Sequence, residues 1–413
     1  MSVTGYVGPL RDGQKIIIIG GGPGGVGTAL TLMKMAEALS REIEVTIYEP
    51  KKFGTHYNQC LGVLSPPILE ILKRDYDITL PEWMIQREIK GYVLHSENDE
   101  ILLKGGGTSH ALRRVEFDGL LLKIARMRGV EVVRSRVTDI EFHPEDAIVY
   151  SESGSDSGDV LVGAFGLDKT MCDIFERRTS FRAPRYLETV VTKFHPDEST
   201  MDFYDGNIHV FLPPLRDVEF GAIVPKGNHL TIINAGKNVN VKSFKVFLSL
   251  PMVEKLLSFS YEFKVCYKGC FPITPGKNIY GDRYVIVGDA AGLVRPFKGK
   301  GITSAFQTGR YAAETMFQDG ITRKAFKNFY DKCYEITGDL WYARTVRILA
   351  NFNSNYLSLE PLIRLAKKNP LLYEALFDSV SGHDTYKNIV KKSLNLNLVS
   401  NLIITYLKYF LGF

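Results

Sequence analysis

Three glycines and two acids are the residues of this chain whose types and spacing could do chemistry. The glycines stand as Gly20-x-Gly22-x-x-Gly25 within KIIIIGGGPGGVGTA, Lys15 to Ala29. In that order they suit a tight turn, a close backbone approach to a pyrophosphate, and close packing of a helix on a strand. A helix over about 24–39 then aims its free N–H groups and the positive end of its dipole at the phosphates. The first acid, Glu49, ends a second strand, Ile43 to Tyr48, where a ribose 2′-hydroxyl needs an acceptor and a 2′-phosphate is disfavoured. The second acid, Asp289, follows the apolar run Tyr284 to Val287 in Gly288-Asp289-Ala290-Ala291-Gly292. An acid at a strand end suits a sugar-like hydroxyl, here a ribityl chain. Glycines around Lys300 let backbone come against a flat ring system. A helix over about 303–317 behind them would stabilise negative charge on that ring, the charge that reduced flavin carries.

These corners need a parallel sheet to hold them. Ile16 to Ile19 is β-branched throughout and too short for a membrane span, so it reads as a buried parallel strand. An amphipathic helix over 114–128, with Phe117, Leu120, Leu121, Ile124 and Ala125 at helical spacing, leads into the strand Val130 to Val133. Alternation in GYVLHS and EILLK predicts a hairpin between Glu88 and Leu103, closed by Gly105-Gly106-Gly107. The polar run Ser151 to Asp159 reads as a hairpin tip or surface loop before the buried strand Val160 to Val162. Beyond Asp168 the texture changes. Leu187–Phe194, Ile208–Leu212, Val218–Val224 and His229–Asn234 alternate with a period near two, which predicts an antiparallel sheet inserted as a second domain. Past Arg310 the chain reads as nearly all helix.

The 413 residues suffice for two or three domains, and 45% apolar with 23% charged residues is ordinary globular composition. A net charge of +5 without a basic run gives no nucleic-acid footprint. Cys60, Cys172, Cys266, Cys270 and Cys333 are odd in number and widely spaced, which is cytosolic usage and not a disulfide framework. With no CxxC pair and no clustered histidines, no metal site is expected. Cys266-x-x-x-Cys270 reads as two half-buried strand residues more readily than as a redox pair. The first fourteen residues lack the pattern of a signal peptide, and a cytoplasmic location is expected.

With these motifs in hand the chain resembles the geranylgeranyl reductase family within the p-hydroxybenzoate hydroxylase group of flavoproteins. The resemblance spans roughly Lys15 to Tyr386. It rests on the GxGPxG start, Glu49, Cys60 to Pro66, Arg114-x-x-Phe117-Asp118, and GDAAGLVRPFKGKGI over Gly288 to Ile302. It implies an α/β fold with a discontinuous Rossmann-type FAD-binding domain over 1–165 and 276–330. An antiparallel-sheet substrate domain over 166–275 and a helical segment over 331–413 complete it. It implies one FAD, with Gly20, Gly22, Gly25 and Glu49 at the adenosine end and Arg114 helping to hold the cofactor. Val137 would meet adenine through its backbone, Asp289 would bind the ribityl chain, and Gly301 and Ile302 would lie beneath the flavin. Two departures stand out. The group's Gly-Ala-Asp-Gly turn reads Gly163-Ala164-Phe165-Gly166, which argues against hydroxylase-type handling of a pyridine nucleotide. The family's Tyr-x-Trp-x-Phe-Pro cavity stretch reads Phe220-Gly221-Ala222-Ile223-Val224-Pro225, so Ala222 reshapes a substrate wall that Phe220, Val224 and Pro225 would share.

The function this resemblance implies is reduction of carbon-carbon double bonds in a prenyl lipid. With one glycine fingerprint and no separate NAD(P)H domain, electrons would arrive from an external donor, NAD(P)H or ferredoxin. A monooxygenase or halogenase of the same fold is the alternative, and a prenyl-binding protein that does not use flavin is a more distant one. Cys60 matches the family's cysteine near the flavin and reads either as a proton donor or as an inert buried thiol. The stretch Leu394 to Phe413 is interrupted by Asn395, Asn397, Ser400 and Asn401, so it is a poor spanning helix. It reads either as a docked terminal helix or as an amphipathic segment in a membrane surface, with Lys391 and Lys392 beside it.

Overall fold

The computed structural model describes residues 5–53, 60–257, 265–295, 300–393 and 396–411. Asn58 and Gln59 ahead of Cys60, 296–299 of the second glycine loop, and 394–395 and 412–413 of the tail lie outside the described residues.

A six-stranded sheet carries both corners. Its order is Tyr280–Gly281, Tyr284–Ile286, Val160–Gly163, Gln14–Ile19, Ile43–Tyr48, Glu131–Val133. All neighbours are parallel except the first pair. Ile16, Ile17 and Ile18 have no exposed surface, as expected of a strand covered on both faces. The helix Pro23–Ala38 lies against Gly301–Gln318 at backbone distance, because a Cβ at Gly309 would meet Gly24 O at 2.6 Å. That contact is what sets the first glycine loop beside the second.

The second sheet has seven strands in the order Cys266–Pro272, Tyr186–Phe194, His229–Gly236, Phe220–Lys226, Asn207–Phe211, Gly91–His95, Glu100–Leu103. The four alternating runs do form antiparallel strands, but the sheet is not confined to 166–275. The Gly91–His95 and Glu100–Leu103 strands form the expected hairpin, and it joins this sheet through a parallel pairing with Asn207–Phe211. The alternation also does not mean a wet face. Every residue of His229–Gly236 is buried, because one face packs on Phe244, Phe247 and Val253 while the other meets Leu359, Ile363 and Phe377. The polar run at 151–159 is only partly loop. Gly154–Gly158 pairs with Ala147–Ser151, and Asp156 accepts from Lys15 Nζ at 2.7 Å and Tyr48 Oη at 3.2 Å.

Beyond the second corner five helices follow Arg323–Lys332: Tyr334–Tyr356, Glu360–Ala366, Pro370–Ser381, Tyr386–Ser393 and Leu396–Leu411. Arg347 Nε donates to Glu219 Oε2 at 2.7 Å and its Nη2 to Glu219 Oε1, which pins the long helix over the second sheet. Among the described residues no helix is long and apolar enough to cross a membrane.

Candidate active site

The first corner is built by strand geometry and missing side chains. The chain leaves Ile19 through Gly20 at φ +109°, and a Cβ at Gly25 would stand 2.0 Å from Gly20 O. Gly25 therefore packs the helix on the strand and does not line the cleft. Gly22 caps the helix, and a Cβ there would have nothing within 4 Å. The space in front of the helix N-terminus is thus open to an anion. Glu49 is buried, its Oε2 accepting from the Gly21 N–H and its Oε1 from the Lys51 N–H, both at 2.9 Å.

The second corner follows Tyr284–Ile286. The Gly288 N–H donates to Thr308 Oγ1 at 3.0 Å, and Asp289 begins a single helical turn. Burial pushes the Asp289 carboxyl above the usual carboxylate range, against the pull of Arg114. A Cβ added at Gly301 would stand 3.5 Å from Asp289 Oδ1, so the acid and the start of Gly301–Gln318 face each other. Arg114 pairs with Asp118 at 2.7 Å. Burial works against its charge, but Asp118, Cys60 and Asp289 overcome that and hold the guanidinium protonated.

Both corners open into one cavity of about 1750 Å³, well above the roughly 300–1,000 Å³ of a single small-molecule site. Gly20, Gly22, Glu49, Arg114, Val137, Asp289, Gly301 and Ile302 line it, together with Cys60, Phe220 and Ala222. Val224 and Pro225 do not. Val224 shares Ala222's face but packs in the second-sheet core beside Ala111, and alternation turns Pro225 to the opposite face. The Cys60 sulfur accepts from the Gly62 N–H at 3.4 Å, with Arg114 Nη1 at 4.0 Å. Cys266 and Cys270 lie on one strand without a disulfide, and Cys270 lines the cavity.

Ala222 was expected on a substrate wall, but the residues beside it there carried no signal in the sequence. Ile233, Ala222, Val210 and Leu94 are directly paired across four neighbouring strands, and all four line the cavity. They make an apolar floor running across the strands for about 14 Å, at ~4.8 Å per strand. Ala222 is its smallest member. Leu349, Leu362, Val380, Leu402, Tyr406 and Phe410 of four helices form the roof. Tyr406 Oη donates to Ser358 O at 2.9 Å and docks Leu396–Leu411, although Ile404, Leu407 and Phe410 stay about half exposed. Register between distant strands and the docking of a tail helix are tertiary facts, and local periodicity does not report them.

The residues fit FAD. An open helix N-terminus, a buried acid at the first corner and a second acid facing a glycine-led helix share a void of sufficient volume for a dinucleotide and a further apolar ligand.

The fold is that of FAD-dependent oxidoreductases. No protein-family model matches the chain. It is 24% identical to a digeranylgeranylglycerophospholipid reductase of Methanococcus vannielii, over 97% of this chain and 98% of that one. It is also 24% identical to a geranylgeranyl diphosphate reductase of Synechocystis, over 90% of each. Among solved structures, a geranylgeranyl bacteriochlorophyll reductase-like protein from Thermoplasma acidophilum superimposes with a TM-score of 0.70 at 17% identity, covering 96% of this chain and 100% of that one. The flavin-dependent brominase Bmp2 follows at 0.69 and 15%, over 92% and 98%. The resemblance to the geranylgeranyl reductase family, first carried by motifs, thus extends along nearly the whole chain.

Proposed function

We propose that the protein is an FAD-dependent reductase of carbon-carbon double bonds in a geranylgeranyl-type lipid. The observation that carries this reading is the apolar floor of Ile233, Ala222, Val210 and Leu94, continuous with the dinucleotide cleft. The relatives named for prenyl reduction support it.

When bound, the flavin supplies hydride to one carbon of the alkene. Gly22 and the helix behind it hold the pyrophosphate, Glu49 the ribose and Asp289 the ribityl chain. The positive end of Gly301–Gln318 stabilises charge on the ring. The floor and roof orient the prenyl chain and exclude water, and Cys60 delivers a proton to the second carbon. Electrons come from an external donor, NAD(P)H or ferredoxin. The half-exposed apolar side chains of Leu396–Leu411 border the cavity and rest on a membrane surface, from which the lipid enters.

The test is anaerobic. Purified protein is reduced with dithionite and mixed with geranylgeranyl diphosphate. The expected result is reoxidation of the flavin, with product heavier by one H₂ for each bond reduced. A reduced enzyme that ignores the prenyl lipid but consumes oxygen in step with substrate modification would overturn the reading in favour of a monooxygenase or halogenase.

A further inference from the structure

The hairpin that supplies Ala222 to the floor turns polar toward its tip. Ala222, Val224 and Lys226 are alternate residues on one face, with Thr231 directly opposite Val224 and His229 directly opposite Lys226. Lys226 is 4% exposed, and His229 and Thr231 are 1% exposed. Lys226 Nζ donates to Leu112 O at 3.1 Å. Both ring nitrogens of His229 and the Thr231 hydroxyl lack a hydrogen-bond partner among the described residues. Buried polar groups left unsatisfied are costly, so side chains of this kind side by side call for water between them.

The cluster lies between the Gly62 loop, next to cavity-lining Cys60, and exposed His195. On the cavity side Lys226 Nζ lies 3.0 Å from where a Cβ on Gly62 would stand, and the Gly62 N–H is the donor to Cys60 Sγ. On the outer side the His229 ring centroid is 5.2 Å from that of exposed His195. The charges facing the cluster are Lys193 and Arg113, the latter paired with Glu116 at 3.1 Å, and Arg87, which donates to Gly227 O at 3.0 Å.

We infer that Lys226, with His229 and bound water behind it, is the proton relay that reloads Cys60 from solvent after each reduction. This rests on the function proposed above, in which Cys60 protonates the alkene. That step leaves the S–H bonding pair on sulfur as a thiolate. The Lys226 ammonium then gives up an N–H proton, an S–H bond forms, and a neutral amine remains. The amine recovers its proton through water at His229, and hydronium or a buffer acid in the solvent at His195 replaces the proton that this water gives up. No electrons move in the relay, and no further reductant is required. Burial, the main cause, pushes the Lys226 amine down to about 8, so its ammonium gives up a proton more readily than that of an exposed lysine. Burial, reinforced by Lys226, likewise pushes His229 down to about 3, so its ring stays neutral and can accept hydrogen bonds from water.

The experiment uses the FAD-loaded full chain and the variants Lys226→Met and His229→Gln. One readout is the pH profile of Cys60 alkylation by iodoacetamide. The other is repeated turnover of geranylgeranyl diphosphate with dithionite in excess, so that Cys60 must be reloaded between reductions, with methylamine added as a rescue. Lys226→Met is expected to move the alkylation midpoint to higher pH, because a cation near the thiolate is lost. It should also slow every turnover after the first about a hundredfold, with partial recovery in methylamine. His229→Gln, which keeps the volume and hydrogen bonding, should slow the later turnovers by about tenfold or more and serves if the lysine variant fails to fold. An unshifted alkylation profile in Lys226→Met overturns the relay, whether or not the prenyl lipid is reduced. So does wild-type repeated turnover in His229→Gln. A wild-type enzyme that leaves geranylgeranyl diphosphate untouched defeats the proposed function instead, and a shifted alkylation midpoint would still report the Lys226–Cys60 coupling.

Discussion

Glu49 and Asp289 face one cleft but are held differently, and their replacements should behave differently. Glu49 is tied to the Gly21 and Lys51 N–H groups, so it shapes the loop as well as meeting a ligand. Glu49→Ala is expected to lower both flavin content and the urea midpoint. For Asp289, burial opposes its charge. Asp289→Ala is expected to purify with at least about tenfold weaker flavin affinity and a near-native midpoint, because one hydrogen-bonded contact to the ligand is worth about 1–3 kcal/mol. Flavin absorbance after dialysis reads both. Ala222 tests the substrate side. Ala222→Trp fills the middle of the floor and should cut geranylgeranyl turnover by at least about tenfold while flavin content stays unchanged. Equal loss of flavin would show that the floor and the cofactor cleft are not separable. These residues differed in legibility for a physical reason. Gly20, Gly25 and Glu49 answer to backbone geometry within one strand-turn-helix unit, which local sequence encodes. Lys226 reaches Gly62, whose N–H donates to Cys60, only through tertiary folding, and nothing near either residue in the chain announces the other.

Among the elements, the long helix Tyr334–Tyr356 is fixed to the second sheet by the bidentate Arg347–Glu219 pair, each side chain 11% exposed. Arg347→Met leaves Glu219 buried without its partner and should cost about 3–5 kcal/mol, read as a lower urea midpoint. The double variant Arg347→Met/Glu219→Leu should recover most of the loss; a double variant as unstable as the single would mean that packing, and not the stranded charge, dominates. Strands were legible wherever their neighbours lie on both faces and the run is uniformly apolar, as in Ile16 to Ile19 and Val160 to Val162. The Gly91–His95 hairpin was equally visible, but not its destination. Its parallel partner Asn207–Phe211 is separated from it by more than a hundred residues, and pairing at that range leaves no local pattern. The polar run at 151–159 was read as a hairpin tip or a surface loop, and the hairpin is what forms. Its serines and Asp156 suit a loop, yet Lys15 and Tyr48 hold Asp156 in a strand.

At the scale of the molecule, acid should unfold this protein earlier than its carboxylates alone would dictate. His95, His209 and His229 are buried, and burial pushes each ring down to about 3. Lys255 reinforces this at His95, His95 at His209, and Lys226 at His229. His95 Nε2 and His209 Nδ1 share one hydrogen bond at 2.8 Å. An unfolded histidine titrates near 6.5, so between that value and 3 the unfolded chain binds more protons than the folded one. The stabilisation is complete above pH ~6.5 and is lost as pH falls toward 3, by up to roughly 1.4 kcal/mol per pH unit for each ring. Urea midpoints at about pH 7.5 and about pH 5 measure it, and His209→Leu should flatten the slope. The backbone contact of Gly309 on Gly24 has a consequence for how the protein is made. A ribosome delivers the Gly20 loop long before Asp289, so a nascent chain displays half of a binding cleft to the cell. A flavin held by both loops would have no complete site during the early folding steps. It can only be captured once translation has passed the second loop, and cofactor supply should govern how much finished protein survives more than how fast it first collapses.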